Sequence, residues 1–339
     1  MTSPLPDPAP VIDLIEAFRR SKTMFVAVAL GVFDRLEAAP ADARTLAEEL
    51  GAAPEPLTRL LDACCGLGFL RKQEGGYANQ PVASTYLRRQ SERTLAGYVL
   101  YSNNVLFPLW THLEDAVREG GHRWKQAFGT EGAIFDHFFK TDEAMRTFLK
   151  GMHGFGLLNS PKVVAAFDLS RFRKLVDLGG ATGHLAIAAC ERYPELSAAL
   201  FDLPRVIEVA RDQMRLTPVA ARIELIAGDF FRDEVPAADL FAVSRILHDW
   251  SDEKIGTLLA KVYQRLPSGG GLLIGEKLLA EDKTGPVPAL MQSLNMLVCT
   301  EGRERTLTEY RVLLDAAGFR DVQGRVTGAP LDAVLALKP

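Results

Sequence analysis

Apolar residues recur at helical spacing from the start of the chain. Ile12, Ile15, Phe18, Phe25, Val26 and Ala29 form one stripe, predicting a helix over residues 11–36. Within it, Phe25-Val26-Ala27-Val28-Ala29-Leu30 is apolar almost all round, which predicts burial on more than one side, including against a second subunit. A short helix closed by Gly51 follows at 45–51, then a helix at 54–67. Gly68-Phe69-Leu70-Arg71-Lys72 next runs into the turn Glu74-Gly75-Gly76-Tyr77. Helix, helix and small β-wing is the order of a winged helix. Further helices are expected over 94–120 and 142–166. Around them lie Tyr98, Tyr101, Phe107, Trp110, Phe128, Phe135, Phe138, Phe139, Phe148, Met152 and Phe155. Most belong in a core, and some suit a pocket for a flat apolar ligand.

Beyond Phe167-Asp168-Leu169 the period changes. Short apolar runs at 174–178, 198–202, 223–227, 240–244 and 271–276 alternate with helical stretches at 185–193, 204–214 and 252–266. That alternation predicts an α/β domain, a doubly wound parallel sheet covered on both faces. The runs at 321–326 and 333–337 have no helix between them and fit a terminal antiparallel hairpin. The expected division is an N-terminal winged-helix domain at 1–95, a helical segment at 96–165 and the α/β domain at 166–339.

Composition narrows the partners. A formal net charge of −4 gives no general attraction to a polyanion. The second helix of the wing motif offers Arg59 as its base-reading cation, beside Glu55 and Asp62, where a recognition helix supplies several such side chains. Dimerisation is therefore its expected use, not nucleic-acid binding. No apolar run approaches the roughly 20 residues of a membrane span. Cys64, Cys65, Cys190 and Cys299 form no C-x-x-C pair and read as reduced, buried thiols of a cytoplasmic protein. The Pro-rich start, residues 1–10, reads as a disordered tail and not a signal peptide.

The chemistry concentrates at strand ends. Asp177-Leu178-Gly179-Gly180-Ala181-Thr182-Gly183 closes the first strand of the sheet, where doubly wound folds bind ligands. The glycines do not fall as G-x-G-x-x-G, and no Lys-Ser/Thr pair follows, so dinucleotide and P-loop readings fail. Asp202 ends the second strand, and Gly228-Asp229-Phe230 ends the third. There Asp202 can take ribose hydroxyls, Asp229 an adenine amino group, and Phe230 can stack on the ring. Carboxylates at consecutive strand ends suit a cationic, phosphate-free cofactor, S-adenosylmethionine. The fourth strand leads to Arg245-Ile246-Leu247-His248-Asp249-Trp250. An imidazole there is placed to take a proton from a phenol, with Glu276 or Glu304 to orient it. The other histidines, His112, His122, His137, His153 and His184, have no comparable setting, and no spacing suggests a metal.

Together these residues resemble the plant-type small-molecule O-methyltransferases, which include hydroxyindole O-methyltransferases and bacterial natural-product enzymes. The most specific pieces are Val176-Asp177-Leu178-Gly179-Gly180, Gly228-Asp229-Phe230-Phe231, Leu247-His248-Asp249-Trp250, Pro267-Ser268-Gly269-Gly270 and Glu301-Gly302-Arg303-Glu304-Arg305-Thr306. The segment 293–298 resembles the acetylserotonin branch. The resemblance implies a Rossmann-like methyltransferase domain, a winged-helix dimerisation domain, a homodimer and no metal. It implies His248 as general base and Glu304 as its orienting acid, with Glu276 or Asp249 assisting. The cofactor would lie among Asp177, Gly179, Gly180, Gly183, Asp202, Leu203, Gly228, Asp229, Phe230, Ser244 and Arg245. A small aromatic acceptor would face Phe148, Met152, Phe155, Trp250, Met291, Asn295 and Met296. The product would be S-adenosylhomocysteine. The rival readings are drifted chemistry on this fold, at nitrogen or carbon or without methylation, and a non-catalytic cofactor sensor. Two departures stand out: Pro267-Ser268-Gly269 replaces a common Lys-Pro-Gly, and Ala181 stands where many plant members have a third glycine. The alanine is expected to be tolerated at negative φ.

Overall fold

Gly31 splits the first expected helix in two. The computed structural model describes residues 5–131 and 141–339, and helix α1 (Ala9–Leu30) ends where Gly31 turns to φ +79°, before α2 (Val32–Ala38). Periodicity alone carries straight through such a glycine. The helix begins inside the stretch expected to be a tail. Phe135, Phe138, Phe139 and His137 lie outside the described residues.

The chain divides into two compact units between Val105 and Leu106. In the first, α3 (Ala43–Leu50) is capped by the Asp42 side chain on the N–H groups of Arg44 and Thr45 and ends at left-handed Gly51. Helix α4 (Pro54–Gly66) leads into the hairpin β1 (Leu70–Gln73) and β2 (Gly76–Asn79), then α5 (Pro81–Tyr86). Ala27, Val28, Phe33, Leu46, Leu61 and Leu70 centre its core. The all-round apolar stretch of α1 therefore lies partly inside its own unit. Its exposed apolar surface is earlier, at Val11, Ile12, Leu14, Ile15 and Phe18. On α4, Arg59 pairs with Glu55 at 2.6 Å, and Asp62 with Lys72 at 2.7 Å, so this face is largely charge-neutralised.

The expected helix at 94–120 is broken. A short helix, α6 (Ala96–Tyr101), passes into a π-helical turn at 102–106, then α7 (Phe107–Trp110) and α8 (Leu113–Glu119). Pro108, which has no N–H and crowds the preceding turn, sits in the first turn of α7, where that costs least. Then come α9 (Trp124–Phe128) and the long α10 (Asp142–Ala165), capped by the Thr141 hydroxyl. The expected segment 96–165 is thus shared between the two units.

The sheet follows. Its strands are β3 (Lys174–Leu178), β4 (Ser197–Asp202), β5 (Ile223–Ala227), β6 (Leu240–Ser244), β7 (Gly271–Glu276), β10 (Arg320–Arg325) and β11 (Asp332–Leu337). They lie in the order β10-β11-β7-β6-β3-β4-β5, parallel from β7 to β5 and closed by the antiparallel terminal pair. Alternate residues feed two cores: Leu175, Leu200, Ala242 and Leu273 into one, Val176, Phe201, Val243 and Ile274 into the other. Helices α11 (His184–Arg192), α12 (Pro204–Met214) and α13 (Asp252–Arg265) are the crossovers. Two strand residues, β8 (Leu278–Leu279), pair in parallel with β9 (Arg305–Thr306) and frame α14 (Val287–Cys299); α15 (Leu307–Ala316) follows β9. Among the described residues no helix is long and apolar enough to cross a membrane.

Candidate active site

The carboxyl edge of the parallel strands gathers the residues singled out from sequence. Gly179, at φ +66°, leaves space that a Cβ would lose, because the Ile246 side chain would lie 2.6 Å away and the Phe230 ring 3.3 Å away. Gly180 and Gly183 complete the loop. Asp202 closes it: one carboxylate oxygen accepts the Ala181 N–H at 2.8 Å, the other the Leu203 N–H at 2.7 Å. Ala181 itself has φ +54°, so the condition of a negative φ under which the alanine was expected to be tolerated is not met. Its backbone is drawn into the left-handed region so that its N–H reaches Asp202. Asp177 lies beneath the loop with no exposed surface, one oxygen taking the Ala186 N–H at 3.3 Å and the other without a partner among the described residues. Burial raises Asp177 to about 7, helped by the charge of Asp202, and raises Asp202 to about 6.

Gly228 is buried, and half-buried Asp229 accepts the Phe231 N–H at 2.8 Å. Phe230 meets Phe231 edge to face, and Phe231 meets Trp250 in the same way. The Ser244 hydroxyl donates to the Gly275 carbonyl at 3.4 Å, the end of the β6–β7 ladder.

Past β6 the chain enters a 3₁₀ turn, Leu247–Asp249. His248 is buried there, and its Nδ1 lies 2.6 Å from Glu304 Oε1 and 3.3 Å from Glu276 Oε2. Its Nε2 is 3.7 Å from Asp249. Glu276 Oε1 accepts the N–H groups of Ile246 and Leu247 at 2.9 and 3.0 Å. Glu276 thus pins the turn, while Glu304 holds the imidazole. Burial raises Glu304 to about 8 and Glu276 to about 7, and raises Asp249 as well. The three groups titrate as one cluster.

His248, Glu276 and Glu304 put donor atoms within 4.8 Å of one another, which raises the question of a metal. Two ligands on one ion, each at about 2.1 Å, stand about 3 Å or more apart at tetrahedral or octahedral angles. The 2.6 Å separation of Nδ1 and Glu304 is that of a charge-assisted hydrogen bond.

Residues 110–320 match the O-methyltransferase domain, and residues 12–89 match the O-methyltransferase dimerisation domain. The chain belongs to the O-methyltransferase family. It is 42% identical over 344 residues to acetylserotonin O-methyltransferase of Gallus gallus, covering 99% of each chain. It is 43% identical over 336 residues, 98% of this chain, to a human probable bifunctional dTTP/UTP pyrophosphatase/methyltransferase protein, of whose length it spans 54%. Its fold matches the crystal structure of human N-acetylserotonin methyltransferase in complex with SAM, with TM-score 0.94 and 37% identity over 100% of this chain and 99% of that one.

Around this O-methyltransferase centre, Met152 and Phe155 of α10 lie against Arg245, whose Nη1 is 3.4 Å from Met152 Sδ and whose guanidinium carbon is 4.9 Å from the Phe155 ring centre. Phe148 is half-buried one turn earlier on the same helix. Asn295 of α14 accepts the Trp110 Nε1–H at 2.8 Å, Met291 is 45% exposed, and Met296 is buried. Lys254 stands over the Trp250 ring.

Several supporting residues escaped the sequence reading. Buried Arg305 donates to the carbonyls of Leu247 and Trp250 and to Asp252, clamping the turn that carries His248. Gly302 passes so close that a Cβ would sit 2.1 Å from the His248 carbonyl oxygen. Both belong to the quoted 301–306 motif, where Glu304 alone drew attention. His153 and His184, set aside as ordinary, face the glycine loop, with His153 Nδ1 2.8 Å from the Thr182 hydroxyl.

Proposed function

We propose that the protein transfers a methyl group from S-adenosylmethionine to the hydroxyl of a small aromatic acceptor, with His248 as general base. The observation carrying this reading is the buried His248–Glu304 contact of 2.6 Å, on a turn whose Ile246 packs against the glycine loop. This supports a base and a cofactor site that are neighbours.

The loop residues suit the cofactor. Asp177 is fully buried and Asp202 half-buried; burial raises both, the charge of Asp202 adds to the rise at Asp177, and one oxygen of Asp177 has no partner among the described residues. A ligand bearing a sulfonium and an ammonium relieves both. Asp202, Leu203, Asp229, Phe230, Ser244 and the loop glycines would hold it. When bound, S-adenosylmethionine supplies a methyl group on an excellent leaving group.

This chain's residues then position and deprotonate. His248 Nε2 takes the acceptor's hydroxyl proton while Nδ1–H donates to Glu304. The imidazolium that forms is balanced by Glu304 and by Glu276 at 3.3 Å. Asp249, beside Nε2, orients the incoming hydroxyl. Phe148, Met152, Phe155, Trp250, Met291, Asn295 and Met296 are assigned to the acceptor side. With S-adenosylmethionine bound, the acceptor oxygen would bond to the methyl carbon as the carbon–sulfur bond breaks, the sulfur keeping the electron pair and S-adenosylhomocysteine leaving.

The active form we assign is a homodimer built on residues 1–95, supported by the dimerisation-domain match and by the exposed apolar face of α1. The four free cysteines and the charge-paired face of α4 support a cytoplasmic enzyme that does not read nucleic acid. Labelled S-adenosylmethionine with a panel of hydroxyindoles, flavonoids, quinones and polyketide phenols is the test. Label should pass to an acceptor hydroxyl; transfer only to nitrogen or carbon, or to none of the panel, overturns the reading.

A further inference from the structure

Helix α10 turns two neighbouring stripes toward the active edge. Met152 and Phe155 meet Arg245, as described. About 100° round the helix, His153, Gly156 and Ser160 meet the glycine loop and the start of α11 instead. His153 Nδ1 lies 2.8 Å from the Thr182 hydroxyl, and the Ser160 hydroxyl lies 2.8 Å from His184 Nδ1. Between these contacts the His184 ring fills the space above Gly156, where a Cβ would stand 2.3 Å from two ring atoms. His184 directly follows Gly183, so its ring fixes the direction in which the chain leaves the loop. Burial holds His153 low and His184 down at about 3, so both imidazoles are neutral and tolerate this packing beside Arg245.

We infer that His153, Gly156, Ser160 and His184 form a clasp by which α10 positions the glycine loop, coupling cofactor occupancy to the placement of Met152 and Phe155. None of the four touches reacting atoms; they are positioning residues. The inference rests on the proposed assignment of the loop to the cofactor and of Met152 and Phe155 to the acceptor. Filling the cofactor site settles the loop, the loop settles the helix, and the acceptor then meets a formed wall. Binding of the two substrates is therefore cooperative.

Calorimetric titration of S-adenosylhomocysteine into the full-length protein, without acceptor, tests the clasp through a double-mutant cycle. Gly156→Ala should weaken binding about tenfold, because the added methyl must displace the ring. In a His184→Ala background the same methyl should cost less than about twofold. Thr182→Val keeps the shape but leaves His153 Nδ1 without this partner; it should weaken binding severalfold in a protein that still melts cooperatively. It serves as the readout should Gly156→Ala fail to fold. In turnover, both variants should raise the acceptor KM more than they lower kcat. Equal losses from Gly156→Ala in the two backgrounds, or wild-type affinity in Thr182→Val, overturn the clasp. A wild-type protein that binds no S-adenosylhomocysteine would remove the cofactor reading as well, which separates the two failures.

Discussion

Glu304→Gln isolates what the buried carboxylate contributes to proton removal. The substitution keeps the shape and an oxygen within reach of His248 Nδ1 but removes the charge 2.6 Å from it. A hydrogen bond to a charged partner contributes about 1.5–3 kcal/mol. At about 1.4 kcal/mol per tenfold in rate, kcat should fall by about 10- to 150-fold. Glu276 remains 3.3 Å from the same nitrogen, so the lower half of that range is expected. His248→Ala removes the proposed base and should cost about 100-fold or more. The pH profile carries further information. In the wild type, burial raises Glu276 and Glu304 to about 7 and 8 as a coupled pair, so the negative charge facing His248 grows across neutral pH and kcat should rise with it. In Glu304→Gln that rise should shrink. Initial rates of S-adenosylhomocysteine release, with cofactor affinity measured separately, provide the assay. A Glu304→Gln enzyme within twofold of wild type, or one whose loss lies entirely in cofactor affinity, would refute the assignment of Glu304 to the base.

Asp202→Ala should weaken cofactor binding by about 1.5–3 kcal/mol while changing kcat little, and an unchanged dissociation constant in calorimetry would move the cofactor elsewhere. Asp177, Asp202, Glu276 and Glu304 are raised to about 7, 6, 7 and 8, so their neutral forms favour the fold. That stability is fully present below about pH 4, the ordinary carboxylate range, and is lost as pH rises from there through 6 to 8, so the melting temperature of the ligand-free protein should drop across this window; a flat or rising curve would contradict it. A chelator such as EDTA should leave turnover untouched, and lost activity restored by a divalent ion would reopen the metal reading of the His248 cluster. Ile15→Glu with Phe18→Glu, at positions 62% and 56% exposed, should convert a dimer seen by light scattering to monomer, and a mutant that stays dimeric would place the interface elsewhere.

The inner strands were legible because parallel strands covered on both faces must be largely apolar. β3, β6 and β7 fall where their runs predict, and so does the less buried edge strand β5. The breaks were harder to see. Gly31 interrupts an apolar stripe that a period of 3.6 carries past it, and the π-turn at 102–106 has no periodic signature at all. Candidate site residues at strand ends could be picked out by position. The residues that hold them did not, because Arg305, Gly302 and Gly156 act across long loops or between helices. Their types are unremarkable until the backbone or ring they touch is known. The same holds for Ala181: sequence shows an alanine among glycines, but only the Asp202 hydrogen bond explains its positive φ.

Arg245 has the companion departure, φ +56°, at the end of the neighbouring strand β6. Its N–H still completes the ladder to the Gly275 carbonyl at 3.0 Å, and the next two N–H groups leave the sheet for Glu276. The left-handed residue is what turns the chain between those two directions. Such a conformation persists only where the surroundings over-determine it. Here they do so through Glu276 on one side and Arg305 on the other. The carboxylates therefore divide their work. Glu276 spends one oxygen on the backbone and fixes the turn that carries His248, whereas Glu304 puts its nearest oxygen 2.6 Å from Nδ1 and meets the ring itself. The two substitutions should then differ in kind: Glu276→Gln disturbs the turn and with it the neighbouring glycine loop, through Ile246, while Glu304→Gln leaves both in place and slows proton removal.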